Sequence, residues 1–179
     1  MAYVSTTYDS PVGLLTLAAG EDGLKGLWIE GQKYFLGTLD EPLEEGSNEH
    51  LEAAIAWLDA YFAGERPALD SLTLTPNGTE FRQIIWQLLT EIPHGEVTTY
   101  GELAKKAAKR LGKERMSSQA TGGAVGHNPI SIIIPCHRVV GADGSLTGYA
   151  GGIDKKLKLL ELEGLDTSTF YIPAHSTAP

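Results

Sequence analysis

The hydrophobic period of this chain changes once, near residue 49, and that change divides what the chain can build. Over the first thirty residues, apolar and β-branched residues come in short runs separated by turn residues. Tyr3 to Tyr8 is one such run, and Asp9-Ser10-Pro11-Val12-Gly13 turns it. Leu14 to Ala19 follows, then Gly20-Glu21-Asp22-Gly23, then Leu24 to Ile29. This pattern predicts an antiparallel meander of three strands. Residues 40–48 are acidic and polar and read as a loop. From Glu49 to Phe62 the period becomes helical, with Leu51, Ile55, Leu58 and Phe62 on one stripe and Gly64 as the stop. Pro67 to Pro76 reads as an extended connection. Asn77-Gly78 marks a boundary between a domain over 1–76 and a second over 77–165, with 166–179 as a tail.

The second segment is predicted to be mostly helical. Thr79 caps a helix to about Ile92, striped by Phe81, Ile84, Ile85, Leu88 and Leu89, and Pro93-His94-Gly95 ends it. Thr99 and Glu102 have capping-box spacing for a helix from Tyr100 to about Leu111. Gly112 interrupts, and Ser117 or Ser118 opens a short helix through Gly122-Gly123-Ala124-Val125. Two helices with a short break, the second small-residued on one face, suit a helix-turn-helix. Glycine inside a helix costs about 1 kcal/mol relative to alanine. Keeping two of them implies that another surface approaches that helix closely. A last helix is expected from about Asp154 to Glu163, stopped by Gly164.

Charge divides along the same line. The net charge is −9, but residues 1–76 hold three basic and thirteen acidic side chains, whereas 77–165 hold eleven and nine. Lys105, Lys106, Lys109, Arg110, Lys113 and Arg115 face only Glu114 within their stretch. Such asymmetry fits an acidic half turned away from a polyanion and a more basic half that meets it. A solvated helix face is the commoner meaning of a lysine run. No apolar run reaches the roughly 18 residues of a membrane span, and no secretory leader is evident. The single cysteine can form neither an internal disulfide nor a multi-cysteine zinc site. The expectation is an intracellular protein, cytoplasmic or at the nucleoid or nucleus, without membrane association, bound metal or cofactor.

That cysteine, Cys136, stands in Asn128-Pro129-Ile130-Ser131-Ile132-Ile133-Ile134-Pro135-Cys136-His137-Arg138-Val139-Val140. A thiol, an imidazole and a guanidinium are consecutive. A thiolate is the nucleophile, and a neighbouring base or cation lowers the free thiol pKa of about 8.5. The residues therefore admit nucleophilic chemistry. They also admit a buried apolar cysteine with incidental polar neighbours.

The flanking sequence resembles the O6-alkylguanine-DNA alkyltransferases. Pro135 to Val139 reproduces their Pro-Cys-His-Arg-Val core. Asn128-Pro129, Gly148-Tyr149-Ala150-Gly151-Gly152, Gly95-Glu96-Val97-Thr98-Thr99-Tyr100, Gly122-Gly123-Ala124 and Leu159-Leu160-Glu161-Leu162-Glu163-Gly164 match in kind and order. The match is strong over about 77–165 and loose before it. It implies an α/β fold: a ribonuclease-H-like first half with a small antiparallel sheet and helix, then a mainly helical winged-helix half. The activity it implies is single-turnover repair, in which Cys136 takes an alkyl group from O6 of guanine in double-stranded DNA and is consumed.

The resemblance also implies roles. His137 would deprotonate Cys136 through a bridging water, Glu163 would orient His137, and Tyr100 would donate to N3 of the leaving guanine. Asn128 would tie the active-site loop, while Val139, Tyr149, Ala150 and Gly151 would line the substrate pocket. DNA contacts, in the minor groove and by a monomer, would come from Gln119, Ala120, Gly122, Gly123 and Arg138. Two departures stand out. Gln119 occupies the place of an arginine that enters the base stack in well-studied members, which implies weaker DNA affinity and lower salt sensitivity. Ser131 replaces a proline of some members, which implies a slightly less rigid loop. Lys105 to Arg115 also lengthens the joint between the two helices. Three other readings remain open at this level: a lesion-binding recruiter, a winged-helix regulator and a thiol hydrolase. The intact Cys136 weighs against the recruiter, and a glycine-rich recognition helix gives a hydrolase nothing.

Overall fold

A computed structural model describes residues 2–146, 149 and 152–170. The chain forms two compact units. One comprises 1–77 together with 129–133, the other 78–128 together with 134–179. The contiguous boundary expected after residue 76 is thus crossed once, by five residues just upstream of Cys136.

In the first unit, β1 (Tyr3–Ser10), β2 (Gly13–Ala19) and β3 (Leu24–Ile29) form the expected antiparallel meander. The supposed loop at 40–48 contains a fourth strand, β4 (Leu43–Glu45), parallel to β1, so the sheet is mixed with order β3-β2-β1-β4. Three residues, two of them glutamates, carry too little β pattern to be read as a strand. β3 is buried along its whole length because its outer edge is covered. Leu24 exchanges hydrogen bonds with Thr73 and Thr75, and Leu27 with Pro129 and Ser131. Covering an edge in this way removes a template for aggregation. On β3 the Trp28 ring lies across Gly26, where a Cβ would stand 2.0 Å from the ring, so only glycine fits.

Helix α1 (Glu49–Phe62) starts where Asn48 accepts from the amides of His50 and Leu51, satisfying N–H groups the helix cannot. Its buried face is Leu51, Ala54, Trp57, Leu58 and Tyr61. The stripe is rotated from the expected one because the two large aromatics, rather than Ile55 and Phe62, go inward. Burying such a side chain contributes roughly 1.5–3 kcal/mol.

In the second unit, α2 (Glu80–Leu89), α3 (Tyr100–Leu111) and α4 (Ser118–Gly126) pack pairwise as a helix-turn-helix with its supporting helix. Thr79, Thr99 and Ser117 each cap through the side-chain oxygen. Gly112 ends α3 in the left-handed region at φ 68°, a conformation glycine adopts without steric cost. Trp86 donates from Nε1 to the Ala124 carbonyl at 2.9 Å, locking α2 to α4. Two short strands not foreseen in the sequence, β5 (Thr98–Thr99) and β6 (Val139–Val140), pair in parallel. Helix α5 (Ile153–Leu162) follows.

The tail also departs from expectation. Asp166 caps a single 3₁₀ turn, Thr167–Thr169, and Phe170 packs with Leu165 against the core of Val140, Leu146 and Leu160. Residues 166–170 therefore belong to the second unit. Among the described residues no helix is long and apolar enough to cross a membrane.

Candidate active site

The chain leading to Cys136 makes two three-residue turns. Ile133 N–H bonds back to Ser131 at 2.8 Å around Ile132, whose φ is 72°. For a β-branched residue this is a genuine outlier, of the strained γ-turn kind. Cys136 N–H bonds back to Ile134 at 2.8 Å around Pro135, at φ −81° and ψ 65°. That is the relaxed inverse γ-turn, for which proline is preset. Ser131 is fully buried and its hydroxyl bonds Gln32 at 3.0 Å, while Gln32 also accepts from Ile29 N–H. The serine that stands here in place of a proline therefore tethers the loop through its hydroxyl.

Cys136, His137 and Arg138 form a 3₁₀ turn, all three buried, that packs against α5. Glu163, one residue past the end of α5, is buried too. His137 Nε2 lies 2.6 Å from Glu163 Oε2. Arg138 donates to the same carboxylate from Nε at 2.8 Å and from a terminal nitrogen at 3.1 Å, and to the Ile92 carbonyl at 2.6 Å. Gly95 N–H adds a fourth donor to Glu163 at 3.3 Å. Burial by itself would raise the Glu163 carboxyl. The hydrogen bond from His137 and the Arg138 guanidinium outweigh it and hold the group well below the usual carboxylate range.

An ionised Glu163 only accepts, so the His137 proton is assigned to Nε2, leaving a lone pair on Nδ1. Nδ1 is buried and has no hydrogen-bond partner among the described groups. Burial pushes the imidazole pKa down, against the pull of Glu163, and the charges of Arg138 and Lys156 act in the same direction as burial. The ring is therefore neutral near pH 7 and basic at Nδ1. Burial raises the Cys136 thiol, while a hydrogen bond from Asn128 and the charge of Lys156 oppose the rise. Asn128 also donates from Nδ2 to the Ile134 carbonyl at 2.8 Å, bridging the ends of the loop.

The other expected residues fall as follows. Tyr100, half-buried, opens α3; a Cβ on Gly122 of α4 would stand 3.7 Å from its ring. Val139 and Tyr149 are buried. Ala150 and Gly151 lie outside the described residues. Gln119 and Ala120 are exposed on α4, and a Cβ on Gly123 would meet nothing within 4 Å. Arg138, expected among the DNA contacts, is buried, and its guanidinium donates to Glu163 and to the Ile92 carbonyl. Its place beside the cysteine suggested an outward cation, and only the buried carboxylate explains why it turns inward.

Lys156 was missed. It is 0% exposed on α5, with Nζ 5.9 Å from the centre of the Tyr100 ring. In the sequence it sits within Lys155-Lys156-Leu157-Lys158 and reads as solvated. The available signal was spacing, since Lys156, Leu160 and Glu163 share one helical face.

Residues 3–76 match the 6-O-methylguanine DNA methyltransferase, ribonuclease-like domain, and residues 80–165 match its DNA binding domain. A methylated-DNA–protein-cysteine methyltransferase of Methanosarcina acetivorans is 46% identical over 157 residues, covering 88% of this chain and 96% of that protein. This chain belongs to the 6-O-methylguanine DNA methyltransferase family. The protein of the same description from Mycolicibacterium paratuberculosis is 45% identical over 160 residues, 88% of this chain and 90% of its own. The fold of the Mycobacterium tuberculosis OGT in complex with DNA is similar at TM-score 0.77 and 43% identity, covering 90% of this chain and 93% of that one.

Proposed function

We infer that this chain repairs alkylated DNA by moving an alkyl group from O6 of guanine to Cys136, once per molecule. The observation that carries this reading is the buried Cys136-His137-Glu163 arrangement, on the same unit as a helix-turn-helix. His137 Nδ1, basic and without a hydrogen-bond partner among the described residues, takes the thiol proton through a bridging water. Glu163 holds the ring in the tautomer that makes this possible, in the manner of a hydrolase triad. The sulfur lone pair then forms the S–C bond as the C–O6 bond breaks, with its electron pair remaining on guanine. Tyr100 gives a proton to N3 during that step and regains one from solvent as His137 gives up the thiol proton, so the restored guanine, still in the DNA, carries one proton more than it held as the ether. The product is a thioether, which is not displaced again under mild conditions, so the protein is consumed.

Binding is to duplex DNA from the minor groove by a monomer. The recognition helix α4 supports this reading, with Gln119 and Ala120 exposed and open space over Gly123. The lesion enters by base flipping and is selected by pocket shape, for which Val139, Tyr149, Ala150 and Gly151 are the expected lining. Gln119 fills the gap in the stack without bringing charge. The test is intact mass after incubation with duplex DNA containing O6-methylguanine, beside Cys136→Ala. The expected result is a gain of one methylene per molecule, absent in the variant. Tight lesion binding without a mass change would instead make the chain a recruiter, and repeated turnover would make it a hydrolase.

A further inference from the structure

The relay of Cys136, His137 and Glu163 does not employ one buried charge that lies beside it. Lys156 is wholly inside, on α5, the helix that packs against the turn Cys136–Arg138. An ammonium is among the least tolerated groups in an interior, and one retained there has a counter-charge or a function. The ionisable groups that face it include Cys136 and His137 from the turn and Tyr100 from α3. Tyr100 offers a neutral ring face, a favourable but modest partner for a cation. His137 is held neutral. Of these, Cys136 is the group that becomes anionic in the reaction, and its charge acts on Lys156.

We propose that the Lys156 ammonium is the electrostatic partner of the Cys136 thiolate. It stabilises the charge that builds on sulfur as the thiol proton leaves, and it faces a neutral thioether once transfer is complete. The resting pair fits this role. Burial lowers the Lys156 pKa to about 8, so the group is still mostly protonated at neutral pH, and the Cys136 charge acts to raise it again. Lys156 keeps its proton throughout; the thiol proton goes to His137 by way of water. Lys156 therefore acts on the nucleophile through the field of its charge. Only the second half of the proposal, the thioether, rests on the alkyl transfer inferred above.

The experiment measures the pH dependence of Cys136 alkylation by iodoacetamide, followed by intact mass, in the full chain without DNA. With one cysteine in the chain, the added mass reports that thiol alone. Lys156→Met is expected to move the midpoint of the profile upward by about one pH unit, which is about tenfold slower alkylation at pH 7. Lys156→Arg keeps the charge and is expected to restore most of it. A folded Lys156→Met protein with an unmoved midpoint overturns the proposal, since a purely structural lysine would leave the profile alone. A second measurement needs no change at Lys156: titration of its side chain by carbon-13 NMR in the unaltered protein and in Cys136→Ala. A lower lysine midpoint in Cys136→Ala supports the pairing, and an unchanged midpoint overturns it. Because neither measurement uses DNA, a chain that failed to repair guanine but showed both shifts would leave the pairing intact.

Discussion

Glu163 receives hydrogen bonds from a histidine, an arginine and a backbone amide, and the first two follow Cys136 directly in the chain. Removing its charge would strand the Arg138 guanidinium in the interior, and breaking a buried pair from one side costs about 3–5 kcal/mol. Glu163→Gln is therefore expected to lose stability on that scale in urea denaturation and to slow Cys136 transfer by tenfold or more. A stable variant with full activity would contradict the assigned tautomer. Lys156 makes the opposite prediction. Its pKa is lowered from 10.5 to about 8, so between those values the unfolded chain binds more protons than the folded one. Stability then rises with pH over that window, and the cost of the buried charge is complete below about 8. Lys156→Met removes that cost, so it is expected to melt no lower than the parent at pH 7, and its advantage is expected to shrink toward pH 10. Melting curves at three pH values check this, and a variant that is markedly less stable at pH 7 would count against a buried charge there.

At the scale of single elements, α4 is built for approach by something outside the free protein. Its glycines lower helix propensity, yet a Cβ on Gly123 would touch nothing and one on Gly122 would meet the Tyr100 ring at an ordinary 3.7 Å. Packing within the chain does not require glycine at 123. Gly123→Ala is therefore expected to raise the stability of the free protein by up to about 1 kcal/mol while weakening binding to lesion DNA. Equilibrium unfolding and a binding titration check the pair of effects, and unchanged DNA affinity would remove the close-approach argument. Helices and caps were legible because Thr79, Thr99 and Ser117 signal locally and the 3.6 period is long. β4, β5 and β6 were not, since strands of two or three residues exist only through the partner that bonds them.

Across the whole molecule, the charge division seen in the sequence takes a specific place on the second unit. Lys105, Lys109, Lys113 and Arg115 line one groove together with Glu114 and with Gly101, Ala104 and Ala108 of α3. Cations that neutralise phosphates there release counterions. The combined change Lys109→Ala, Lys113→Ala and Arg115→Ala is thus expected to reduce the slope of log affinity against log salt by about 0.9 for each phosphate no longer neutralised. An unaltered slope would place the DNA elsewhere.

What the sequence determined by itself was local or combinatorial: period, caps, the cysteine motif and the order of its companion blocks. Cys136, His137 and the acid that His137 meets at the end of the last helix, Glu163, were singled out in that way. Tertiary structure alone decided where the cations go. Arg138 turns inward because a buried carboxylate awaits it, and Lys156 is interior on the helix that packs against the turn carrying Cys136. Ser131 tightens the loop because Gln32, remote in sequence, accepts its hydroxyl. The physical reason is common to all three. A polar side chain has no preferred side until the fold supplies a partner, and that partner lies far away along the chain.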